Sequence, residues 1–261
     1  MGYEIFDDIV CITLEGNTER QELVEKTLKS LGIKFRFYVA KKHPRGGRVG
    51  CFESHMNVTR ECYQSGKQKV LIFEDDVVPS PAYSPELLNQ ATTFMTTNTT
   101  WEIFQLGWGF WFDTTNSSVT SALIKSIYQL IIAKNVAPHV YQHTAVLLHA
   151  YCLSRAGMKR ILDNYEPELN RPDKEVLQPD EFTVRLFNST GRAYCIAPFL
   201  FDQRWCLTSN NIARSYSEKI IRLFQCNGET TGVFYVISLL LLYRNIVLVI
   251  IICVILYIFF R

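Results

Sequence analysis

Three consecutive carboxylates, Glu74, Asp75 and Asp76, close an apolar run in the stretch KVLIFEDDVVPSP. Adjacent carboxylates repel one another and need a counter-charge. A hard divalent cation supplies it through oxygen ligands and can bridge a diphosphate. Continued strand alternation would put Glu74 and Asp76 on one side of the chain. The placement also fits the rule that open parallel sheets bind ligands at the carboxyl ends of their strands. A solvated acidic turn accounts for the same residues without any function. On the triplet alone the two readings stand level, since perturbed acids also occur in structural networks.

The elements that would carry such a site alternate. Asp8–Thr13 is a short apolar run rich in β-branched residues, a buried strand. Thr18 with Gln21 reads as a capping box, and Leu23, Val24, Leu28 and Leu31 form a helical face ended by Gly32. Lys34–Val39 alternates as a strand, and KKHPRGGR reads as a loop. Phe52, Met56, Thr59 and Tyr63 recur at helical spacing. Lys69–Phe73 is a strand, Pro85–Thr97 a helix and Glu102–Leu106 a strand. This alternation predicts an α/β fold with a mostly parallel sheet covered by helices. Residues 107–139 read as an insertion. Val140–Leu153 is strand-like, and Ser154 caps a helix to Asn164. Glu166–Pro179 is a loop, Asp180–Asn188 a helix and Arg192–Ile196 a strand. Ile212, Ile220, Ile221 and Phe224 suggest a last amphipathic helix.

The chain has 261 residues with 27 Lys and Arg against 25 Asp and Glu. The last 30 residues, Gly232 to Arg261, hold 25 apolar residues, two Arg and no acid, so residues 1–231 are charge-neutral. That balance argues against a nucleic-acid binder, which shows a basic excess, and the apolar content argues against disorder. Seven of the eight Cys, at 11, 51, 62, 152, 195, 206 and 226, lie before the tail without regular spacing. They make a poor disulfide framework and no CxxC zinc site, and read as buried residues in a reducing compartment. The segment MGYEIFDDIV has no signal-peptide character.

Several blocks together resemble glycosyltransferase family 25, which includes lipooligosaccharide and procollagen galactosyltransferases. VCITLEGNTER resembles that family's first strand and Arg-containing turn, RVGCFESH its G-C-x-x-S-H segment, and VLIFEDDV its metal motif. WEIFQLG resembles the next strand and HAYCLSRAGMKRIL the A-Y-x-x-S-x-x-G helix entry. RPDKEVLQPDEF and PFLFDQ fall at its Asp loop and its late Pro…Gln segment. The blocks keep family order from Val10 to Gln203. Residues 107–139 and the Asp loop depart from the family wording. The resemblance implies a GT-A type fold, a UDP-sugar donor, Mn2+ or another divalent cation, and an inverting transfer.

On that resemblance Asp76 is a metal ligand, with Glu74 and Asp75 holding metal or ribose and His149 a further candidate ligand. Thr13, Arg20, Gly50, Ser54 and His55 fall in donor-binding blocks. Each has a bland counterpart. Arg20 suits an exposed first helical turn, and His55 a satisfied core histidine. Ser54 and His55, expected at a helix N-terminus, would meet phosphate or ribose oxygens there. His143 rivals His149. Asp180 is the candidate base, Glu181 the runner-up and Asp173 a distant third; acids in a first turn also simply suit the helix dipole. Trp108, Phe110, Trp111 and Phe112 could stack on a sugar, though such clusters are more often core or lid packing. Asn57, Asn98, Asn116 and Asn188 begin N-x-S/T triplets, as chance also produces.

The tail, 232–261, reads as a membrane anchor with one span near 241–260, Arg244 snorkelling to the interface. Arg214, Lys219 and Arg222 before it, against Arg261 after it, place the catalytic domain 1–231 on the cytoplasmic side; the four sequons argue the opposite. The leading expectation is a membrane-anchored glycosyltransferase acting on a glycan, lipid or protein hydroxyl, with no nucleic-acid partner. Another metal-dependent phosphoryl or nucleotidyl enzyme, or a non-catalytic nucleotide-sugar binder, are the alternatives.

Overall fold

The computed structural model describes residues 2–109, 133–143, 145–204, 225–226, 230–231 and 239–259. The elements in chain order are β1 (Asp8–Leu14), α1 (Thr18–Ser30), β2 (Arg36–Ala40), α2 (Gly47–Gln64), β3 (Lys69–Glu74), β4 (Val77–Pro79), α3 (Pro85–Thr97) and β5 (Ile103–Gly109). Next come β6 (Lys134–Ala137), β7 (Val140–Gln142), β8 (Val146–Ser154), α4 (Arg155–Asn164), α5 (Glu166–Leu169), α6 (Pro179–Phe187), β9 (Ala193–Ile196) and β10 (Phe201–Gln203). A hairpin of two-residue strands at 225–226 and 230–231 and the helix α7 (Arg244–Phe259) complete them.

Eight strands form one sheet in the order β2-β1-β3-β8-β5-β9-β7-β6. β2, β1 and β3 are parallel neighbours, as are β5 and β9, while β8 and β7 run against their neighbours. Six of the eight strands therefore point one way. β4 leaves the main sheet to pair with β10. Period-2 alternation sorts the strand residues into two layers. Cys11, Leu71, Phe73 and Phe104 pack with Val24 and Leu28 of α1 and Leu88 and Met95 of α3. Val10, Val70, Ile72 and Ile103 pack with Phe52 and Met56 of α2, Met158 of α4 and Phe182 of α6. The result is a helix–sheet–helix sandwich, the mixed α/β architecture that the alternation predicts.

Several local expectations are corrected. Thr18 is the first helical residue, with Asn17 at the cap, and no capping box forms; the Gln21 amide instead donates to the Leu14 carbonyl at 3.1 Å. α2 begins at Gly47, inside the expected loop, because Gly46 takes a left-handed φ of 97° that other residues resist. Val140–Leu153 is two strands, with His143 between them. The Ser154 signal holds: it caps α4 by accepting from the Gly157 amide, and Ser84, not singled out in the sequence, caps α3 in the same way through the Leu87 amide. Gly157 is required because a Cβ there would lie 2.0 Å from the Glu102 carbonyl oxygen.

Among the described residues no helix is long and apolar enough to cross a membrane. α7 has 16 residues, about 24 Å at 1.5 Å per residue, and exposes Ile246, Val249, Ile250 and Tyr257. Just before it, Leu241 is fully buried with Trp108, Tyr141 and Phe199, and the Arg244 guanidinium lies 5.6 Å from the Tyr141 ring centre. The tail therefore begins by plugging the domain. A chain ended after Tyr243 is expected to melt several degrees above one ended after Thr231, since losing a buried Leu costs about 2–5 kcal/mol. Equal melting temperatures would show that the Leu241 contact contributes nothing.

Candidate functional site

The carboxyl end of β3 meets the start of β8 at one sheet edge. Phe73 pairs with Ala150, which puts Glu74 beside His149. β3 stops at Glu74, and Asp75-Asp76 form a turn into β4, so strand alternation does not run through the triplet. The three acids consequently find different partners. Arg20 comes in from α1, where it shares the buried face with Val24 and Leu28. Its Nη2 lies 2.6 Å from Asp75 Oδ1 and 2.8 Å from Asp76 Oδ2. The surface reading of Arg20 is thereby replaced. The Thr13 hydroxyl, at the end of β1, donates to Asp75 Oδ2 at 2.7 Å. The Gln203 amide, on β10, donates to Asp76 Oδ2 at 3.0 Å. Asp76 Oδ1 is buried and has no hydrogen-bond partner among the described residues.

Glu74 turns to α2 instead. His55 Nε2 lies 3.1 Å from Glu74 Oε1, and His55 Nδ1 lies 2.9 Å from the Tyr151 hydroxyl on β8. Burial raises the Glu74 carboxyl, but its hydrogen bond to His55 and the nearby histidines and Arg20 prevail and hold it below the ordinary value. Burial raises Asp75 against the lowering effect of Arg20. Asp76 is pushed up to about 7, by burial first and then by the Glu74 charge, with Arg20 opposing. Among the described residues one guanidinium, Arg20, is paired with two of the three clustered acids, so their mutual repulsion keeps acting to raise Asp76.

His149 is buried, and its Nε2–H donates to the Phe201 carbonyl at 3.0 Å; Nδ1 has no hydrogen-bond partner among the described residues. The imidazole is held below its ordinary value by burial. Gly107 on β5 lets the ring sit there, because a Cβ at 107 would lie 2.1 Å from His149 Nε2 and 2.7 Å from the Phe201 oxygen. Gly107→Ala is expected to destabilise the fold by about 3 kcal/mol or more, read from urea unfolding. A change within ±0.5 kcal/mol would contradict this packing.

Asp180 reaches the same region from the first turn of α6. Its Oδ1 accepts from the Glu181 amide at 2.8 Å and its Oδ2 from the Leu147 amide at 3.4 Å. Burial raises its carboxyl, and Glu74 is close enough to add to the rise. Glu181 bends back to the Gln178 amide at 3.3 Å and so supports the helix start. Asp173 is exposed and paired with Arg45. Gly50, Ser54 and His55 lie in the second and third turns of α2, so the expected phosphate contact with its N-terminal amides is displaced to residues around Gly47. Ser54 donates to its own helix at Gly50 O, 2.6 Å away. His143 is buried between β7 and β8, and burial holds it down to about 4. Trp108 is core, donating to the Ile196 carbonyl at 2.6 Å. Phe110, Trp111, Phe112 and Asn116 lie outside the described residues, as does the helix expected around 212–224.

Beside α2 lies a cavity of about 380 Å³ lined by Tyr38, Lys41, Lys42, His43, Ser54 and Asn57, among others. It opens past the carboxyl end of β2, where doubly wound sheets take ligands.

Residues 45–173 match the sequence model of glycosyltransferase family 25 (LPS biosynthesis protein). A curated relative from Rattus norvegicus, "Probable inactive glycosyltransferase 25 family member 3", is 25% identical over 142 residues. That alignment takes in 54% of this chain but only 21% of the relative, so the chain spans about a fifth of its length. Among solved structures, a glycosyltransferase involved in glycosylation of the major capsid of PBCV-1 aligns with a TM-score of 0.45 at 12% identity, covering 77% of this chain and 96% of that one. The galactosyltransferase LgtC, in complex with donor and acceptor sugar analogs, aligns at 0.37 and 12% identity, covering 73% of each chain. The matched stretch runs from the loop before α2 through the acidic triplet and β8 to the loop before α6, and over it the chain is similar to glycosyltransferase family 25.

Proposed function

We propose that this protein is a membrane-anchored, metal-dependent glycosyltransferase that moves a hexose from a UDP-sugar to a hydroxyl of a glycan, lipid or protein, with inversion. The observation that carries the reading is Asp76 Oδ1, buried and without a hydrogen-bond partner among the described residues, in a cluster of three carboxylates. Among the described residues the ligand atoms grouped within 4.8 Å are those of Cys51, His55 and Glu74, so a divalent cation would have to draw the Asp76, Glu74 and His149 donors together. Asp76 would hold it through Oδ1, with Glu74 and with His149 through Nδ1, whose opposite N–H is already given to a carbonyl as metal-bound histidines require. When bound, the cation neutralises the charge that develops on the leaving diphosphate. Lys41 and Lys42 at the neighbouring cavity favour the anionic donor. Arg20 holds Asp75 and Asp76 in place, and Thr13 fixes the Asp75 rotamer. Asp180 is the base: it lies outside the cation-binding turn, and burial raises its carboxyl, which makes it a stronger proton acceptor than an ordinary carboxylate. The apolar, solvent-facing α7 supports attachment to a bilayer, with the domain facing the cytoplasm.

A second reading, nucleotide-sugar binding without transfer, is favoured by the Arg20 ion pairs, which already set a positive charge against Asp75 and Asp76. The deciding experiment screens UDP-sugars for Mn2+-dependent donor hydrolysis and, in parallel, for donor binding by the detergent-solubilised chain. Turnover of one donor is the expected result. Binding without turnover selects the second reading, and neither activity nor binding overturns both.

A further inference from the structure

Cys51 and His55 stand four residues apart on α2, so both side chains leave the same helix face. Glu74 meets them from the end of β3. One ligand atom from each, the Cys51 sulfur, a His55 ring nitrogen and a Glu74 carboxylate oxygen, all lie within 4.8 Å of one another. We propose that these three residues form a binding site for a thiophilic divalent cation such as zinc, separate from the Asp76 donor set but sharing Glu74 with it. Thiolate, imidazole and carboxylate are the ligands zinc prefers, and three of them with one open position is a common non-structural arrangement. At zinc–ligand distances of 2.0–2.3 Å, tetrahedral ligands stand about 3.3–3.6 Å apart. His55 and Glu74 are already 3.1 Å apart, so moderate movement of the Cys51 side chain completes the set. Tyr151 supports it from behind. Its hydroxyl at 2.9 Å from His55 Nδ1 can accept that N–H and turn the Nε2 lone pair toward the cation. Burial first, and then the carboxylates of Glu74, Asp180 and Asp76, push the Cys51 thiol up, so the sulfur gives up its proton only against a bound cation. Binding would displace the Cys51 thiol proton to solvent and form the zinc–sulfur bond without any redox change. A hard cation such as Mn2+ gains little from the sulfur, so occupancy reports metal type, and zinc held here withdraws Glu74 from the neighbouring donor set.

The test uses the full chain in detergent, stripped with EDTA and without donor or acceptor, so its result is independent of transfer activity. Zinc chloride is titrated at equilibrium, and zinc X-ray absorption is recorded at one equivalent. The expected result is one sulfur at about 2.3 Å, lost in Cys51→Ser, with affinity reduced more than about 10²-fold, beyond the usual cost of changing a supporting residue. His55→Gln, checked for native circular dichroism, should weaken zinc similarly and covers the case in which Cys51→Ser fails to fold. No zinc binding, no sulfur ligand, or a zinc–sulfur signal that persists in Cys51→Ser or at undiminished affinity in His55→Gln would overturn the proposal.

Discussion

Asp76→Ala should lower transfer by about 10³-fold while leaving the fold intact. The magnitude is the upper range for removing one preorganised electrostatic contributor to a charged transition state. The fold survives because Arg20 keeps Asp75 as a partner, and only the Gln203 amide loses its acceptor. Without a cation, one of three mutually repelling acids has gone, which offsets that loss. Turnover at limiting Mn2+ is the direct measurement, and wild-type activity there would remove Asp76 from the site. The pH dependence gives an independent reading. Asp76 sits at about 7 in the folded protein and near 3.9 in an unfolded chain. Between those values the folded state binds a proton that the unfolded state has released. Stability in EDTA therefore falls as pH rises from about 4 to about 7. Asp202, buried and likewise raised to about 7, acts with the same sign. Asp76→Asn should flatten the melting-temperature slope across pH 5–7, leaving the shares of Asp202 and of the other raised acids, Asp75 and Asp180. An unchanged slope would contradict the raised Asp76 carboxyl.

Asp180→Asn should cost about 10²-fold or more in turnover with donor affinity retained, the range for a positioned general base. Asparagine keeps one acceptor oxygen, enough for the 2.8 Å bond from the Glu181 amide though not also for the longer 3.4 Å contact from Leu147, so the α6 start should hold. The competing explanation, a carboxylate placed for the helix dipole, predicts the reverse: a stability loss of a few tenths of a kcal/mol and normal turnover. Burial that raises Asp180 already weakens that explanation, because a carboxyl stabilised by the dipole alone would be lowered. Donor affinity and turnover measured on the same preparation separate the two. Glu181→Gln is the control, since Glu181 faces its own helix start at Gln178.

What the sequence revealed was what local rules govern. Apolar runs and the capping Ser154 located strands and helices, and the triplet lies at the carboxyl end of β3. Arg20 was singled out, but its direction was not legible: only the final phase of α1, with Val24 and Leu28 inward, turns it to the acids. The start of α2 was misread because glycine and Arg-rich stretches normally signal loops, whereas Gly46 uses its left-handed freedom to begin the helix. Three contributors went unassigned. Tyr151 lies in the HAYC block but its bond to His55 depends on β8 pairing with β3. Gly107 is explained only by the His149 ring. Gln203 meets Asp76 through the β4–β10 pairing, a contact no local pattern announces.

That last pairing also dictates when the site comes into being. Asp76 and Gln203 are 127 residues apart. At a synthesis rate of 5–20 residues per second, the ribosome exposes the acidic triplet roughly 6–25 s before its amide partner. The Phe201 carbonyl that seats His149 emerges with that partner. During that interval the nascent chain can lay down β1, β2 and β3 with their helices, yet it carries the acidic turn without its closing strand. Cellular supply of cation to the emerging polypeptide, rather than to the released protein, would then bear on how much of the synthesised chain matures with a working centre.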